Sequence, residues 1–242
     1  MKVTVLGPWG AYPKAGEATA GYLIEYEDEK ILIDCGSGVL AQLQKQLKLS
    51  ELTAVIISHT HFDHIADLGC LQYACLIDMD WRLRLNNLPI YIASESNEGK
   101  YKAMNGTEFR SISVEEALII KGLNISFFKT FHGAYCLAIK IQFKDQILVY
   151  TADTFYDESL VGFCAAADVL IAETSFYKEF DAKKYGHMNS ADVGNLALKA
   201  NAGRVILTHL PHFGELDSLA LEVEETYKGQ IELAFCGMEI IL

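Results

Sequence analysis

The most constraining feature of the sequence is a dense group of histidines and one aspartate directly after an apolar run, in AVIISHTHFDH at residues 54–64. Alternate residues of an extended chain point to the same side, so His59 and His61 can both reach one metal ion. Asp63 and His64 follow in the turn that starts the next predicted helix, where they can face a second ion. Imidazole and carboxylate are ligands that zinc, manganese and iron accept. A polar helix entry with surface histidines is the disfavoured alternative.

Three further ligand-type residues follow strand-like runs. His132 ends ISFFKTFH, His209 ends RVILTH, and Asp153 ends QILVYTAD. Each alone is better explained as a satisfied core or surface residue. Together they predict a site at one rim of a sheet sandwich, where two metals share a carboxylate and a hydroxide.

Length and composition limit what the chain can be. Its 242 residues, 51% of them apolar, can bury one large core or two small ones, and without a linker-like tract or repeat we predict a single domain over residues 1–242. The net charge of −12 opposes binding to nucleic-acid backbones and anionic membranes. Six scattered cysteines, no apolar run of about 20 residues and no visible export signal lead us to expect a cytoplasmic protein without a membrane partner.

The apolar pattern predicts an α/β fold. Strand-like runs alternate with helical spacing, and the clearest predicted helices are Val39 to Lys48, Ile65 to Met79, Ser190 to Ala200 and Glu215 to Lys228. Ser190 is a good helix start, although Val193 three residues later gives it no acidic capping-box partner. Each half of the chain has similar content, so we predict a four-layer αβ/βα sandwich of two mixed β-sheets flanked by helices.

These motifs resemble the metallo-β-lactamase fold superfamily, and within it the ribonuclease Z and small cyclic-phosphodiesterase branch. The resemblance spans nearly the whole chain, through LIDCGSG (32–38), HTHFDH (59–64), YTADT (150–154), GHMNS (186–190) and LTHL (207–210). It implies two divalent metal ions, with zinc preferred and manganese or iron acceptable. The implied ligands are His59, His61 and His132 for the first ion, Asp63, His64 and His209 for the second, and Asp153 as the bridge.

The resemblance also implies catalytic roles. A hydroxide between the metals would attack phosphorus, and Asp63 could accept the proton of that water. His187 in GHMNS would donate a proton to the leaving oxygen or stabilise negative charge. Asp34 could orient a ligand histidine or cap a turn, and Glu173 could support His187 or a ligand, or be only a carboxylate at the sheet edge.

The third histidine lies in KTFHGAYC, which matches the glyoxalase-like and lactonase-like branches less well. Ribonuclease Z also fits less well, because His132 and Asp153 are 21 positions apart and leave no room for its tRNA-gripping arm. We therefore expect a phosphodiesterase acting on a small or cyclic phosphodiester, working as a homodimer, with nucleic acid as a less favoured substrate. The alternatives are a nuclease without the arm, a lactonase or thioesterase, and a non-catalytic metal-binding module. His212 is expected only to line the pocket wall.

Overall fold

The computed structural model describes residues 1–94 and 102–242. Its internal contacts divide the chain into two compact units. The first unit is Met1–Ile112 with Phe235–Ile241, and the second is Ser113–Ala234 with Leu242. The single domain expected over residues 1–242 stays a prediction.

The first unit is built on a mixed sheet. Its strands are β1 (Lys2–Gly7), β2 (Gly21–Tyr26), β3 (Glu29–Ile33), β4 (Ala54–Ile57), β5 (Leu88–Ala93), β6 (Thr107–Ile112) and β14 (Glu239–Ile241). Within the described residues the order is β14-β1-β2-β3-β4-β5-β6. The β14-β1-β2-β3 pairs are antiparallel, and the β3-β4-β5-β6 pairs are parallel.

Both faces of the central strands in this sheet are buried. Ile31, Leu32 and Ile33 are consecutive in β3 and are at most 1% exposed. A strand buried on both faces has no polar side to alternate with, which is why these strands appear in the sequence as continuous apolar runs.

The helices of the first unit are shorter than predicted. They are α1 (Val39–Leu43), α2 (Phe62–Ile65) and α3 (Leu68–Asp80), with a 3-10 helix at Leu49–Glu51. The predicted helix from Ile65 to Met79 is thus wrong at its start, because the chain leaves the helix at Asp67. The Asp67 carboxylate accepts a hydrogen bond from the backbone of Leu40 at 2.9 Å, and its own N–H donates to the Cys35 carbonyl at 3.1 Å.

The second unit repeats the plan of the first. Its strands are β7 (Leu118–Ile120), β8 (Leu123–Lys129), β9 (Leu137–Phe143), β10 (Gln146–Tyr150), β11 (Val169–Glu173), β12 (Arg204–Thr208) and β13 (Gln230–Leu233). The order in the described chain is β13-β12-β11-β10-β9-β8-β7. Strands β7 to β10 pair antiparallel, and β10 to β13 pair parallel.

The helices of the second unit are α4 (Glu158–Cys164), α5 (Ser190–Ala200) and α6 (Leu216–Thr226), with a 3-10 helix at Ala182–Tyr185. Helix α5 has the predicted bounds, but the residue that caps its N-terminus is not Ser190. Asn189 is the N-cap, and its side chain accepts from the Asp192 N–H at 2.9 Å while Asp192 accepts from the Asn189 N–H at 3.2 Å. The capping box excluded for Ser190 and Val193 therefore exists one residue earlier.

None of the helices in residues 1–94 and 102–242 has the length and apolarity needed to cross a bilayer.

Candidate metal centre

In the first unit, the histidine motif begins where two parallel strands end. Asp34 follows β3, and Ser58 and His59 follow the neighbouring strand β4. The Asp34 N–H continues the ladder by donating to the Ile56 carbonyl at 2.9 Å. Parallel strands end at the same edge of a sheet, so the two segments meet there.

The four predicted ligands of the first unit lie in one cluster. The His59 ring centroid is 4.7 Å from that of His61 and 4.0 Å from that of His64. The Asp63 Oδ2 atom is 3.7 Å from His64 Nε2. His59 and His64 are fully buried, whereas His61 is exposed.

Asp34 orients two of these imidazoles. Its carboxylate is fully buried and lies 2.8 Å from His64 Nδ1. It also accepts from the N–H and the hydroxyl of Ser58, each at 2.8 Å. The Ser58 hydroxyl has one proton, which it donates to Asp34, so its oxygen can accept from His59 Nδ1 at 3.2 Å. Both rings thus direct Nε2 away from the carboxylate, and Asp34 is the orienting group rather than only a turn cap.

Asp63 is held from a different side. Its Oδ2 atom accepts a hydrogen bond from the Ala11 N–H at 2.9 Å. Ala11 has a left-handed backbone, with φ of 60°, and lies in the loop after β1. The predicted catalytic carboxylate is therefore fixed by a backbone donor as well as by its own helix α2.

In the second unit, Asp153 lies between two predicted ligand histidines. Its Oδ2 atom is 3.7 Å from His132 Nε2 and 3.4 Å from His209 Nε2. These separations are longer than hydrogen bonds. They match the spacing of about 3.4 Å between ligand atoms that lie 2.0–2.2 Å from a shared tetrahedral ion.

Glu173 repeats in the second unit what Asp34 does in the first. Its buried carboxylate lies 2.9 Å from His187 Nδ1 and accepts from the Ser175 hydroxyl at 2.7 Å. The Ser175 oxygen in turn lies 2.8 Å from His209 Nδ1. The carboxylate also accepts from the N–H groups of Thr154 and Met188, each at 3.1 Å. One carboxylate therefore orients His187 directly and His209 through a serine.

His132 is oriented by the backbone. Its Nδ1 atom lies 2.9 Å from the carbonyl oxygen of Gly186, which has a left-handed φ of 78°. A Cβ atom at Gly186 would lie only 3.0 Å from that same Nδ1. Glycine is thus required both by the backbone conformation and by the close approach of the ring.

The donor set fits divalent metal ions. In His59, His64, His132 and His209 the Nδ1 atom faces a hydroxyl, carboxylate or carbonyl oxygen of the protein. That partner fixes Nδ1 as the protonated nitrogen and leaves Nε2 as the ligating one, which is the usual arrangement of metal-binding histidines. The tautomers and the carboxylates together provide N and O ligands of the type that zinc accepts.

His187 is placed beside these residues. Its ring stacks on that of His209, with centroids 5.2 Å apart, and meets that of His132 edge-on at 5.1 Å. It is half-buried, so one side of the ring is accessible. His212 is also half-buried, and its place on the pocket wall stays a prediction.

Comparison with known proteins identifies the family. A model described as a β-lactamase superfamily domain matches residues 29–210. The crystal structure of YhfI from Bacillus subtilis, described as a metallo-β-lactamase fold protein, aligns with a TM-score of 0.96 and 39% identity over 99% of this chain and 98% of that chain. The chain belongs to the metallo-β-lactamase superfamily. The metallo-β-lactamase-like α/β fold with two mixed β-sheets and helices, predicted from the sequence, is thereby confirmed.

Relatives within the superfamily include hydrolases. The probable metallo-hydrolase YhfI of Bacillus subtilis is 40% identical over 239 residues, which cover 98% of each chain. Ribonuclease Z of Sulfolobus acidocaldarius is 25% identical, with 87% of this chain and 88% of the relative covered. A structure described as a diphosphatase of the PhnP family shares the fold, with a TM-score of 0.77 and 19% identity over 100% of this chain and 97% of that chain. The prediction of a metal-dependent hydrolase related to ribonuclease Z is confirmed.

The sequence did not single out three residues that orient histidines. Ser58 and Ser175 carry hydrogen bonds from an imidazole to a buried carboxylate, and Gly186 presents its carbonyl to His132. Ser58 and Ser175 each follow the end of a parallel strand. That position is the signal that could have found them, because it also marks His59 and His209.

Proposed function

We propose that the protein is a dinuclear metal-dependent phosphodiesterase acting on a small or cyclic phosphodiester. Asp153 carries this proposal, because its Oδ2 atom lies 3.7 Å and 3.4 Å from the Nε2 atoms of two oriented histidines. A carboxylate between two such nitrogens is suited to bridging two ions.

The ligand assignment follows the family resemblance. His59, His61 and His132 would hold one ion, Asp63, His64 and His209 the other, and Asp153 would be shared. Zinc is the preferred ion, since the ligands are imidazoles and carboxylates, although manganese and iron accept the same set. When bound, the ions supply Lewis acidity that activates water and neutralises charge on the phosphoryl oxygens.

The protein's own residues would complete the chemistry. Asp63, held by the Ala11 N–H, would accept a proton from the attacking water. His187 would donate a proton to the leaving oxygen or a hydrogen bond to the phosphoryl group, while Glu173 holds its Nδ1 and thereby aims Nε2.

A small substrate is favoured by the segment between His132 and Asp153. Strands β9 and β10 are joined by only Lys144 and Asp145, with no insertion to grip a tRNA. The net charge of −12 also opposes a polyanionic substrate. A nuclease is the second candidate, because a ribonuclease Z is among the relatives that match most of the chain.

The deciding experiment combines metal analysis with a substrate panel. The panel contains an aryl phosphodiester, cyclic nucleotides, a tRNA precursor, a lactone and a glutathione thioester. We expect about two metal ions per chain and turnover of the small phosphodiesters. Preferred cleavage of the tRNA precursor would support the nuclease, and turnover of only the lactone or thioester would contradict the proposal.

The Asp153→Ala variant tests the bridge. Without the shared anion two neighbouring cations repel each other, so we expect loss of at least one ion and of nearly all turnover. Asp145→Ala, in the turn between β9 and β10, is the control and should keep both. Retention of two ions with a near-normal rate in Asp153→Ala would remove this residue from the bridge.

A further inference from the structure

Four aromatic rings gather beside His187 in the second unit. Phe176 is the centre of the group: its ring lies 5.4 Å from Tyr185, to which it is nearly parallel, and 6.2 Å from both Phe180 and Phe213. Phe180 and Phe213 also contact each other at 5.6 Å. We call these four residues the aromatic cluster.

The aromatic cluster is open to solvent although its members touch. Tyr185 is 58% exposed, Phe213 45% and Phe180 43%, whereas Phe176 is half-buried beneath them. Single exposed aromatic side chains are common on protein surfaces, but a contiguous exposed group marks a binding surface.

The backbone under the aromatic cluster is fixed. The Tyr177 hydroxyl donates to the Phe213 carbonyl at 3.0 Å, and the Asn189 side chain donates to the Phe180 carbonyl at 3.0 Å. Gly214 has a φ of 73°, and a Cβ atom there would come within 2.6 Å of the Tyr177 ring. Rings held in place before binding lose little entropy when a ligand stacks on them.

The aromatic cluster adjoins the residues proposed to act on phosphate. The Phe176 ring centroid is 6.3 Å from that of His187, which itself stacks on His209 at 5.2 Å. A group esterified to a phosphate at these histidines therefore reaches the rings directly.

The local charge favours a neutral ring as the occupant. Burial raises the pKa of Tyr177, and the negative charges of Glu215, Glu222 and Glu179 raise it further. Acidic groups around the cluster would repel a second phosphate. The Lys184 ammonium lies 5.5 Å from the Tyr185 ring centroid, so one positive charge also borders the cluster.

We propose that Phe176, Phe180, Tyr185 and Phe213 form a subsite that stacks an uncharged aromatic ring esterified to the substrate's phosphate. This inference rests on the proposed phosphodiesterase function and narrows its substrate class to aryl or nucleoside esters. Stacking on exposed rings requires a planar partner, so a saturated ring of the same size is the discriminating comparison.

The test measures dissociation constants by calorimetry, with the metal-loaded protein and phosphate monoesters that serve as product-like probes. Phenyl phosphate is compared with cyclohexyl phosphate, and adenosine 5′-monophosphate with ribose 5-phosphate. We expect each aromatic probe to bind roughly tenfold more tightly than its partner, as one stacking contact typically provides. For each pair we take the ratio of the saturated probe's dissociation constant to that of the aromatic probe. The pair with the larger ratio shows whether an aryl group or a nucleobase is the preferred ring.

The double variant Phe213→Ala, Tyr185→Ala should bring both ratios close to one while leaving cyclohexyl phosphate binding unchanged. Both side chains are substantially exposed, so the fold should tolerate their removal, and a thermal melt checks this. Tyr73→Ala on α3, where the ring is 61% exposed, is the matched control and should keep the wild-type ratios.

Three results would overturn the subsite: equal binding of aromatic and saturated probes, ratios unchanged in the double variant, or no binding of phenyl phosphate. None of these readouts depends on turnover. Wild-type protein that hydrolyses diesters without a ring preference would refute the subsite alone. Ring-dependent binding in a protein that hydrolyses no phosphodiester would refute the function alone.

Discussion

Asp34 and Glu173 show how a single buried carboxylate can orient two histidines. Each contacts one imidazole directly and a second through a serine hydroxyl. Because a hydroxyl donates only one proton, the serine that donates to the carboxylate must accept from the ring. The carboxylate thus determines the tautomer of both rings, including the one that it does not touch.

At the same scale, His187→Ala separates catalysis from metal binding. The variant should keep both metal ions and the fold while turnover falls by about a hundredfold or more, within the usual range for a positioned acid. An aryl diester, whose leaving group needs little protonation, should lose much less rate than an alkyl or ribose diester. Steady-state kinetics on the two substrates, with metal analysis of the variant, measure both effects.

His212→Ala is the control for this prediction, since His212 is a half-buried histidine close to His209 in sequence and has no assigned role. Equal rate losses on both diesters in His187→Ala would indicate phosphate binding instead of proton donation. An unchanged rate on both would place His187 outside the reaction.

Sequence reasoning was strongest for residues whose chemistry is distinctive. Histidines and aspartates at strand ends predicted the clusters around His59 and Asp153, because few other roles bring so many ligand-type side chains together. Ser58 and Ser175 were missed, since serine is common at strand ends and turns. Ser58 matters because its hydroxyl bonds to Asp34, which is distant in the chain, and Ser175 matters because of how the His209 ring is oriented. The sequence shows neither the contact nor the orientation.

At the scale of elements, the first turn of α5 links Glu173, beside the candidate metal centre, to the stability of the folded protein. Asp192 lies in the first turn, half-buried, and burial raises its pKa, with the charge of Glu173 adding to this and the Asn189 N–H opposing it. The folded state therefore holds the Asp192 proton more tightly than the unfolded state. As pH rises from the ordinary carboxyl pKa through the raised one, this residue lowers the free energy of unfolding.

Asp192→Asn removes that charge and keeps an oxygen to accept from the Asn189 N–H. We expect the variant to gain stability over the wild type as pH rises from acid to neutral, with little difference below the ordinary carboxyl pKa. Urea denaturation across this range measures the change. Asp217→Asn, at the first turn of α6, is the control; a difference for Asp192→Asn that stays constant with pH would contradict the prediction.

Element boundaries were predicted where the sequence pattern and the hydrogen bonds agree. The β9–β10 hairpin follows its apolar runs, and α5 has the expected bounds. Helix α3 begins later than predicted, because Asp67 hydrogen bonds to a segment 27 residues earlier. Such a tertiary contact overrides local periodicity.

At the scale of the whole molecule, metal binding should determine thermal stability. One ion that binds only the folded state, at 100 times its dissociation constant, adds about 2.7 kcal/mol. For a chain of this size that corresponds to a melting temperature roughly 5–10 °C higher. We expect a chelator to remove this increment and zinc to restore it, as measured by calorimetry with metal analysis.

Asp153→Ala, which should lose at least one ion, should melt below the metal-loaded wild type and respond less to chelator. A wild-type melting temperature that does not change when the protein is shown to be metal-free would contradict the prediction.

The two-sheet content of the chain was predictable because both sheets have central strands buried on two faces. Their apolar runs stand out from the sequence. The sequence marks two of the edge strands poorly: β6 is TEFRSI and β13 is QIEL, and in both, polar side chains interrupt the apolar pattern. Each is held in its sheet by pairing with one neighbouring strand, β6 with β5 and β13 with β12.

The Glu173 carboxylate takes part in five hydrogen bonds, and these affect how the substrate specificity of the protein can change. The carboxylate binds Ser175 at one end of a segment and His187 and Met188 at the other. Residues 176–185 therefore form a segment whose two ends are fixed by a group outside it. Substitutions of the ring side chains in that segment change what is offered to a ligand while Glu173 still holds both ends, so substrate preference can evolve separately from the histidines.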